Sequence, residues 1–139
     1  WIDGPETKLK YFESDNKYFI KGNIKTNKRK EHIRKIEFDR DFNEIKIEDE
    51  ISNVDNFILN WIFSEEMELK KITEGKYEIN GTDYEIGIFS KENIKIELLK
   101  CNYSTEYNIE KETRKIQIKN QEKKPIYKII TIFRKRKDL

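Results

Sequence analysis

The chain has 139 residues with 29 basic and 27 acidic side chains, a formal net charge of +2, 35% hydrophobic residues and 40% charged ones. This length holds one domain with a continuous core rather than two, and the nearly balanced charge disfavours a nucleic-acid-binding protein. A single His and a single Cys exclude a structural zinc site and an internal disulfide. The chain contains no Ala, and its apolar side chains are mainly Ile, Phe and Tyr, which suit β-strands.

Apolar and charged residues alternate along most of the chain with a period of two, which predicts half-buried β-strands. The clearest case is segment 32–51, a predicted hairpin in which Ile36 and Phe38 fall on one face. Lys35 and Glu37 fall on the other face. Twelve strands are predicted in chain order, at residues 8–13, 17–25, 33–39, 44–52, 56–63, 66–73, 76–80, 83–89, 93–100, 103–107, 114–120 and 126–135.

Two segments refine this prediction. Residues 57–63 are apolar on both faces, which predicts a central strand covered on both sides, with Trp61 in the core. The Asn80-Gly81 pair predicts a hairpin turn, because Gly accepts the positive φ that a tight turn requires. We therefore expect an all-β fold, a two-layer antiparallel β-sandwich. Its expected core consists of Ile36, Phe38, Ile45, Ile47, Leu59, Trp61, Ile86, Ile88, Ile94, Ile96, Ile116, Ile118, Ile130 and Ile132.

Catalytic chemistry is sparse in the sequence. The five Gly residues are isolated and form no phosphate-binding loop, and no calcium-binding loop is present, so no cofactor and no metal are expected. Adjacent carboxylates, such as those at 48–50, are typical of a solvated strand edge rather than of an acid–base pair. We interpret His32 as a structural residue at a strand end, with a catalytic base or a glycan contact as the alternative. We interpret Cys101 as a small apolar residue rather than a nucleophile.

Like charges gather in two places, residues 28–30 and residues 134–137. We interpret them as an exposed loop and a frayed tail, with contact to a polyanion as the alternative. No apolar run approaches the roughly 18 residues that a membrane-spanning helix requires.

The N-terminus is neither an initiator Met nor a signal sequence, so we expect the chain to be cut from a longer protein. Apolar surface near Trp1, Phe12 or Trp61 would then face the missing portion. For Trp61 the core position is favoured over an interface, whereas for Trp1 an interface is at least as strongly expected as a core position.

Two segments resemble a known family. Residues 32–39, His-Ile-Arg-Lys-Ile-Glu-Phe-Asp, and residues 45–51, Ile-Lys-Ile-Glu-Asp-Glu-Ile, look like an H-x-R-x-I-x-F/L-D segment followed by I-x-D-x-I. Further along, residues 103–108, Tyr-Ser-Thr-Glu-Tyr-Asn, resemble a Y-S-P-x-Y-G element. The segments and their order are similar to those of the heparinase II/III-like polysaccharide lyases, and the resemblance spans nearly the whole chain.

This resemblance implies the C-terminal β-sandwich portion of such a lyase. Members of the family pair an N-terminal α-helical toroid with C-terminal β-sandwich layers and cleave uronate-containing glycans by β-elimination. A base removes the proton α to the carboxylate, and a Tyr or His serves the leaving oxygen. The catalytic Tyr lies in the toroid and the sandwich His lies in a Gly-His-x-His-Asn-Asp segment. This sequence has a counterpart of neither, so the resemblance implies no catalytic residue in the chain.

A lyase of acidic glycans needs cationic groups for the carboxylate and aromatic rings that stack on sugars. The glycan-contact candidates are His32, Arg34, Lys35, Tyr103 and Tyr107. For the two tyrosines, the alternative is a corner of the core with the hydroxyl bonded to the backbone. Three features depart from the family's pattern. Thr105 replaces a usual Pro, Asn108 replaces a usual Gly, and Ile62 and Phe63 stand where a His is frequent.

The expected organisation is a single β-sandwich domain over residues 1–139, the C-terminal fragment of a larger lyase. Its expected partners are an acidic polysaccharide, bound through the parent enzyme, and the missing N-terminal region, contacted within the same polypeptide. No nucleic acid and no membrane span are expected. The compartment is left open, and a parent lyase would be compatible with export to the periplasm or cell exterior. The alternative is a non-enzymatic, stand-alone β-sandwich module that binds carbohydrate or protein.

Overall fold

The computed structural model describes residues 6–26 and 29–137, which form eleven β-strands and no helix. The strands are β1 (Glu6–Ser14), β2 (Lys17–Lys25), β3 (Glu31–Asp39), β4 (Glu44–Ser52), β5 (Ile58–Ile62), β6 (Glu68–Thr73), β7 (Lys76–Asn80), β8 (Tyr84–Ser90), β9 (Ile94–Glu106), β10 (Ile109–Asn120) and β11 (Ile126–Lys135). The all-β prediction is confirmed. Among these residues, no helix capable of crossing a bilayer is found.

The strands form two antiparallel sheets. The larger sheet has eight strands in the order β1-β2-β3-β4-β11-β8-β7-β6, and the smaller has three in the order β5-β10-β9. The last strand in sequence, β11, lies between β4 and β8 and joins the meander β1–β4 to the meander β6–β8. The two sheets confirm the predicted two-layer antiparallel β-sandwich.

The core lies between the small sheet and the β4-to-β7 part of the large sheet. Phe57 packs edge-on against Tyr127, with ring centroids 5.0 Å apart. Burying a large apolar side chain stabilises the fold by about 1.5–3 kcal/mol, so this contact layer holds the sheets together. The fully buried apolar side chains are Tyr77, Ile86, Ile116, Ile118, Tyr127 and Ile129.

The large sheet extends beyond the small one, and the core-side face of its strands β1 to β3 stays partly open to solvent. Leu9 on this face is 74% exposed, and Ile24 is also exposed. Four aromatic rings stack in series along it, with centroids 6.4, 5.2 and 5.4 Å apart. We call this surface the open inner face; its residues are Leu9, Tyr11, Tyr18, Ile20, Ile24, Ile36, Phe38 and Phe42.

Several strand predictions need correction in detail. The strands predicted at 93–100 and 103–107 are one strand, β9, and β10 begins earlier than expected, at Ile109. Tyr107 and Asn108 form the turn between β9 and β10, where Asn108 adopts a φ of 62° in place of the family's Gly. The Asn80-Gly81 hairpin is confirmed, and Gly81 has a φ of 82°.

The prediction of a central strand at 57–63 is wrong. β5 is an edge strand, hydrogen-bonded only to β10 among the described residues. Its outer face carries Ile58 and Ile62, which are 59% and 60% exposed. The inner face is as predicted, because Leu59 is buried and Trp61 packs against the core. Apolar residues on both faces therefore do not imply cover on both faces.

The predicted core positions of Ile130 and Ile132 are also wrong. The register of β11 with β4 places Ile129 opposite Asp49 on the inner face, and Ile130 opposite Glu48 on the outer face. Apolar residues occupy both the odd and the even positions of β11. The odd positions point inward and include Thr131, which is buried but polar, so alternation alone favours the even positions and therefore the wrong face. Six other predicted core residues are only partly buried, namely Ile36, Phe38, Ile45, Trp61, Ile94 and Ile96.

Candidate functional site

A buried carboxylate organises the inner face of β3 and β4. Because β4 alternates, Asp49 shares its face with the apolar residues Ile47 and Ile51, and its side chain is 0% exposed. The register of β3 with β4 places Arg34 directly opposite Asp49, and His32 one pair further along on the same face. The fold therefore brings three polar side chains from two neighbouring strands to one point.

The three side chains form a hydrogen-bonded group that we call the Asp49 cluster: His32, Arg34 and Asp49. His32 Nε2 lies 2.6 Å from Asp49 Oδ1, and because an ionised carboxylate only accepts, Nε2 is the donor. Arg34 donates from Nε to Oδ1 at 2.7 Å and from Nη2 to Oδ2 at 3.2 Å. These bonds leave His32 Nδ1 and Arg34 Nη1 uncommitted to Asp49, and both side chains are about one-third exposed.

The electrostatics of the cluster keep Asp49 ionised. Burial favours the neutral acid and raises the pKa of Asp49, but the hydrogen bonds from His32 and Arg34 and their positive charge outweigh burial. The pKa of Asp49 therefore lies below its ordinary value of 3.8. One carboxylate thus orients two nitrogen-rich side chains whose outer edges reach solvent.

Trp61 connects this cluster to the small sheet. The guanidinium carbon of Arg34 lies 4.8 Å from the centroid of the Trp61 ring, which is a cation–π contact. The same ring packs edge-on against Phe133 on β11, with centroids 5.7 Å apart. Trp61 therefore touches both the polar cluster and the apolar core.

The remaining glycan-contact candidates lie elsewhere. Lys35 is on the outer face of the large sheet, opposite to His32 and Arg34. Tyr103 is on β9, and its hydroxyl accepts a hydrogen bond from the Glu65 backbone N–H at 3.3 Å, as the backbone-bonded alternative predicts. Tyr107 is 92% exposed at the β9–β10 turn, so a core position for Tyr107 is wrong.

One of the two basic clusters differs from expectation. In the cluster at 28–30, Arg29 and Lys30 are exposed in a loop, as predicted. Lys28 lies outside the described residues. The frayed tail at 134–137 is wrong, because Arg134 belongs to β11 and lies 3.0 Å from Glu44. Arg136 donates a hydrogen bond to the Thr82 carbonyl oxygen at 2.7 Å, so the segment is bonded to the rest of the fold as far as Arg136. Trp1 also lies outside the described residues.

Sequence reasoning missed Asp49 and the contact of Trp61 with Arg34. One signal was available in the sequence. Within residues 45–51 every second position, from Ile45 to Ile51, is apolar except Asp49, and a carboxylate buried on that face requires bonding partners.

Cys101 is a free thiol on β9 and is half-buried. Within residues 6–26 and 29–137, no group of three or more His, Cys, Asp and Glu side chains is placed to hold a metal ion.

No protein-family model matches the chain, and no curated protein matches it. Solved structures do resemble it. A heparinase III described as the BT4657 gene product superposes with a TM-score of 0.79 and 17% identity, over 94% of this chain and 22% of that chain. The heparan sulfate lyase HepC from Pedobacter heparinus gives a TM-score of 0.74 and 13% identity, over 96% of this chain and 22% of that chain.

A further structure of heparinase III gives a TM-score of 0.71 and 12% identity, over 94% of this chain and 21% of that chain. The chain thus spans about a fifth of the length of the proteins it matches. At these identities the likeness establishes the fold, and it agrees with the fold that the sequence resemblance implies.

Proposed function

We propose that this chain is the C-terminal β-sandwich domain of a polysaccharide lyase that cleaves uronate-containing acidic glycans by β-elimination. In this proposal residues 1–139 are one domain of a longer protein and supply no catalytic residue. The observation that supports it best is the superposition on heparinase III over 94% of this chain but only 22% of that chain. The sequence resemblance at residues 32–51 points to the same family independently.

The chemistry of the Asp49 cluster fits a supporting role. β-Elimination requires a base for the proton α to the carboxylate, a cation for the developing negative charge, and an acid for the leaving oxygen. His32 is the only histidine, and its Nε2 proton is already directed to Asp49. Arg34 makes two bonds to the same carboxylate. The cluster therefore stabilises the sheet and offers at most the free edges of two side chains to an anionic substrate.

The open inner face supports a contact with the rest of a longer polypeptide. It is continuous with the core, yet no described strand covers it. Its exposed side chains are mainly large and apolar, and they extend the apolar inner surface of the sandwich beyond the small sheet. An exposed apolar surface of this kind is typical of a contact with another protein layer. We therefore assign this surface to the preceding region of the parent protein.

The proposal predicts a native polypeptide several times heavier than the 17.0 kDa of this chain. An antibody to the chain, used on a denaturing gel of the source cells, measures that mass. The purified native protein is then expected to release unsaturated uronate from heparan sulfate or another uronate-containing glycan, detected by its ultraviolet absorbance. Dextran serves as the control substrate, because a neutral glucan lacks the acidic proton α to a carboxylate.

Two results would contradict this proposal. A native protein close to the mass of this chain would identify a stand-alone module and direct the search to binding partners. A heavy native protein that produces no unsaturated uronate from any acidic glycan in the panel would remove the lyase assignment while leaving the domain's fold unchanged.

A further inference from the structure

Three lysines stand in a row on the outer face of the large sheet. Strand register places Lys10 directly opposite Lys21, and Lys21 directly opposite Lys35. Since neighbouring strands lie about 4.8 Å apart, the row is roughly 10 Å long. All three side chains are exposed, and none forms an ion pair within the described residues. We call this feature the lysine row.

The row is electrostatically unfavourable in the free protein, because like charges directly opposite on neighbouring strands repel. The nearby carboxylates relieve it only in part. Glu48 lies directly opposite Lys35, and Glu37 lies directly opposite Lys46, but both carboxylates also pair with other lysines. Glu48, the next residue in the row, lies 3.2 Å from Lys128, and Glu37 lies 3.0 Å from Lys17. Lys46 on β4 adds a further cation without an ion pair among the described residues. The surface around the lysine row therefore carries a local excess of positive charge, although the whole chain is almost neutral.

Two aromatic rings flank the row. Phe12 and Phe19 are opposite each other on the outer face, and their rings stack with centroids 4.7 Å apart and an interplanar angle of 8°. Phe12 is 55% exposed and belongs to the edge strand β1, so among the described residues no strand lies beyond it. Phe12, Phe19, Lys21, Lys35 and Lys46 line one shallow groove together with Glu37 and Glu48.

We infer that the lysine row and the Phe12–Phe19 pair form a binding site for an acidic glycan. A row of cations at regular spacing suits a chain of anionic groups better than a single anion. An exposed phenyl ring beside the cations supplies a surface for the apolar face of a sugar ring. A nucleic-acid strand is disfavoured, because such strands are bound by series of exposed aromatic rings within a strongly basic groove. The ligand class rests on the proposed function, whereas the charge arrangement does not.

The test titrates the 139-residue chain with a heparin oligosaccharide at low salt. The row variant combines Lys10→Gln, Lys21→Gln and Lys35→Gln, and the matched control combines Lys70→Gln, Lys91→Gln and Lys123→Gln, which are exposed and remove the same charge. The loss of each lysine is expected to weaken heparin binding about fivefold, so the row variant is expected to bind heparin about 100-fold more weakly than the parent chain. The control is expected to bind as the parent chain does.

A second variant shows that the row, and not folding, is responsible. Lys21→Glu places a carboxylate between Lys10 and Lys35, so it is expected to raise the melting temperature by about 2–5 °C while it weakens heparin binding. A stabilised protein with weakened binding cannot be explained by loss of structure.

The possible results separate this inference from the proposed function. Absence of heparin binding at low salt, or equal losses in the row variant and its control, would overturn the site. If a single-stranded DNA of matched charge binds as tightly as heparin, and the row variant loses that binding too, the assignment to glycans would be overturned. Row-dependent heparin binding by the chain, together with a native protein that lacks lyase activity, would support the site and reject the lyase.

Discussion

Replacing Asp49 by asparagine is expected to lower the free energy of unfolding by about 3–5 kcal/mol. The substitution keeps the size of the side chain but removes the negative charge that accepts hydrogen bonds from His32 and Arg34. Arg34 is then a partly buried guanidinium without its counter-ion, which is the costly state of a broken buried pair. Urea unfolding of the parent and variant, followed by circular dichroism, measures the difference.

The pH dependence checks the mechanism. Because the pKa of Asp49 is lowered in the folded protein, its contribution to stability is present above the unfolded-state pKa and is lost as pH falls through the folded value. The difference between parent and Asp49→Asn should therefore be largest near neutral pH and shrink below about pH 4. Glu50→Gln, a half-buried neighbour on the other face, is the control and should change stability by less than about 0.5 kcal/mol. A pH-independent difference would show that the charge of Asp49 is not what stabilises the sheet.

Replacing Trp61 by alanine is expected to cost about 3–5 kcal/mol. The change removes the contact with Phe133 in the core and the cation–π contact with Arg34. It also leaves a cavity between the two sheets at the edge strand β5, which pairs with β10. Thermal unfolding and urea unfolding both measure the loss.

Trp61→Phe is the informative control. The indole Nε1 of Trp61 is buried and has no hydrogen-bond partner among the described residues. A phenyl ring keeps an aromatic face for Arg34 and removes this unsatisfied donor, so the loss should stay below about 1.5 kcal/mol. A loss in Trp61→Phe equal to that in Trp61→Ala would mean that an acceptor for the indole N–H, and not ring packing, governs this position.

The fold was largely predictable because its signals are local. Alternation with a period of two places each strand within a few residues, and it gives the correct inner face for Ile47, Leu59, Ile86 and Ile116. It fails on β11, where Tyr127, Ile129 and Phe133 compete with Ile130 and Ile132 for the inner face. The outcome depends on pairing with β4 and β8, which are distant in sequence, so the strand's own pattern cannot decide it.

The candidate site was less predictable for the same reason. His32 and Arg34 were recognisable from the sequence, but their meeting at Asp49 follows from the pairing of β3 with β4. The lysine row is harder still, because Lys10, Lys21 and Lys35 are separated by intervals of 11 and 14 positions and become neighbours only through two hairpins. The charge cluster at 134–137, which is contiguous in sequence, makes hydrogen bonds and an ion pair with the rest of the fold and is not a free basic surface.

The position of β11 has a consequence for how the large sheet assembles. Two meanders, β1–β4 and β6–β8, can each form from neighbouring hairpins, but only the last strand in sequence unites them. During synthesis, the facing edges of β4 and β8 therefore remain without hydrogen-bonding partners until Ile126–Lys135 has left the ribosome. Such exposed edges attract strands of other chains, so ribosomes stalled or terminated before this segment would release a product prone to aggregation. We therefore expect the insertion of β11 between the two meanders to be a slow step of folding, because it joins residues that are distant in sequence.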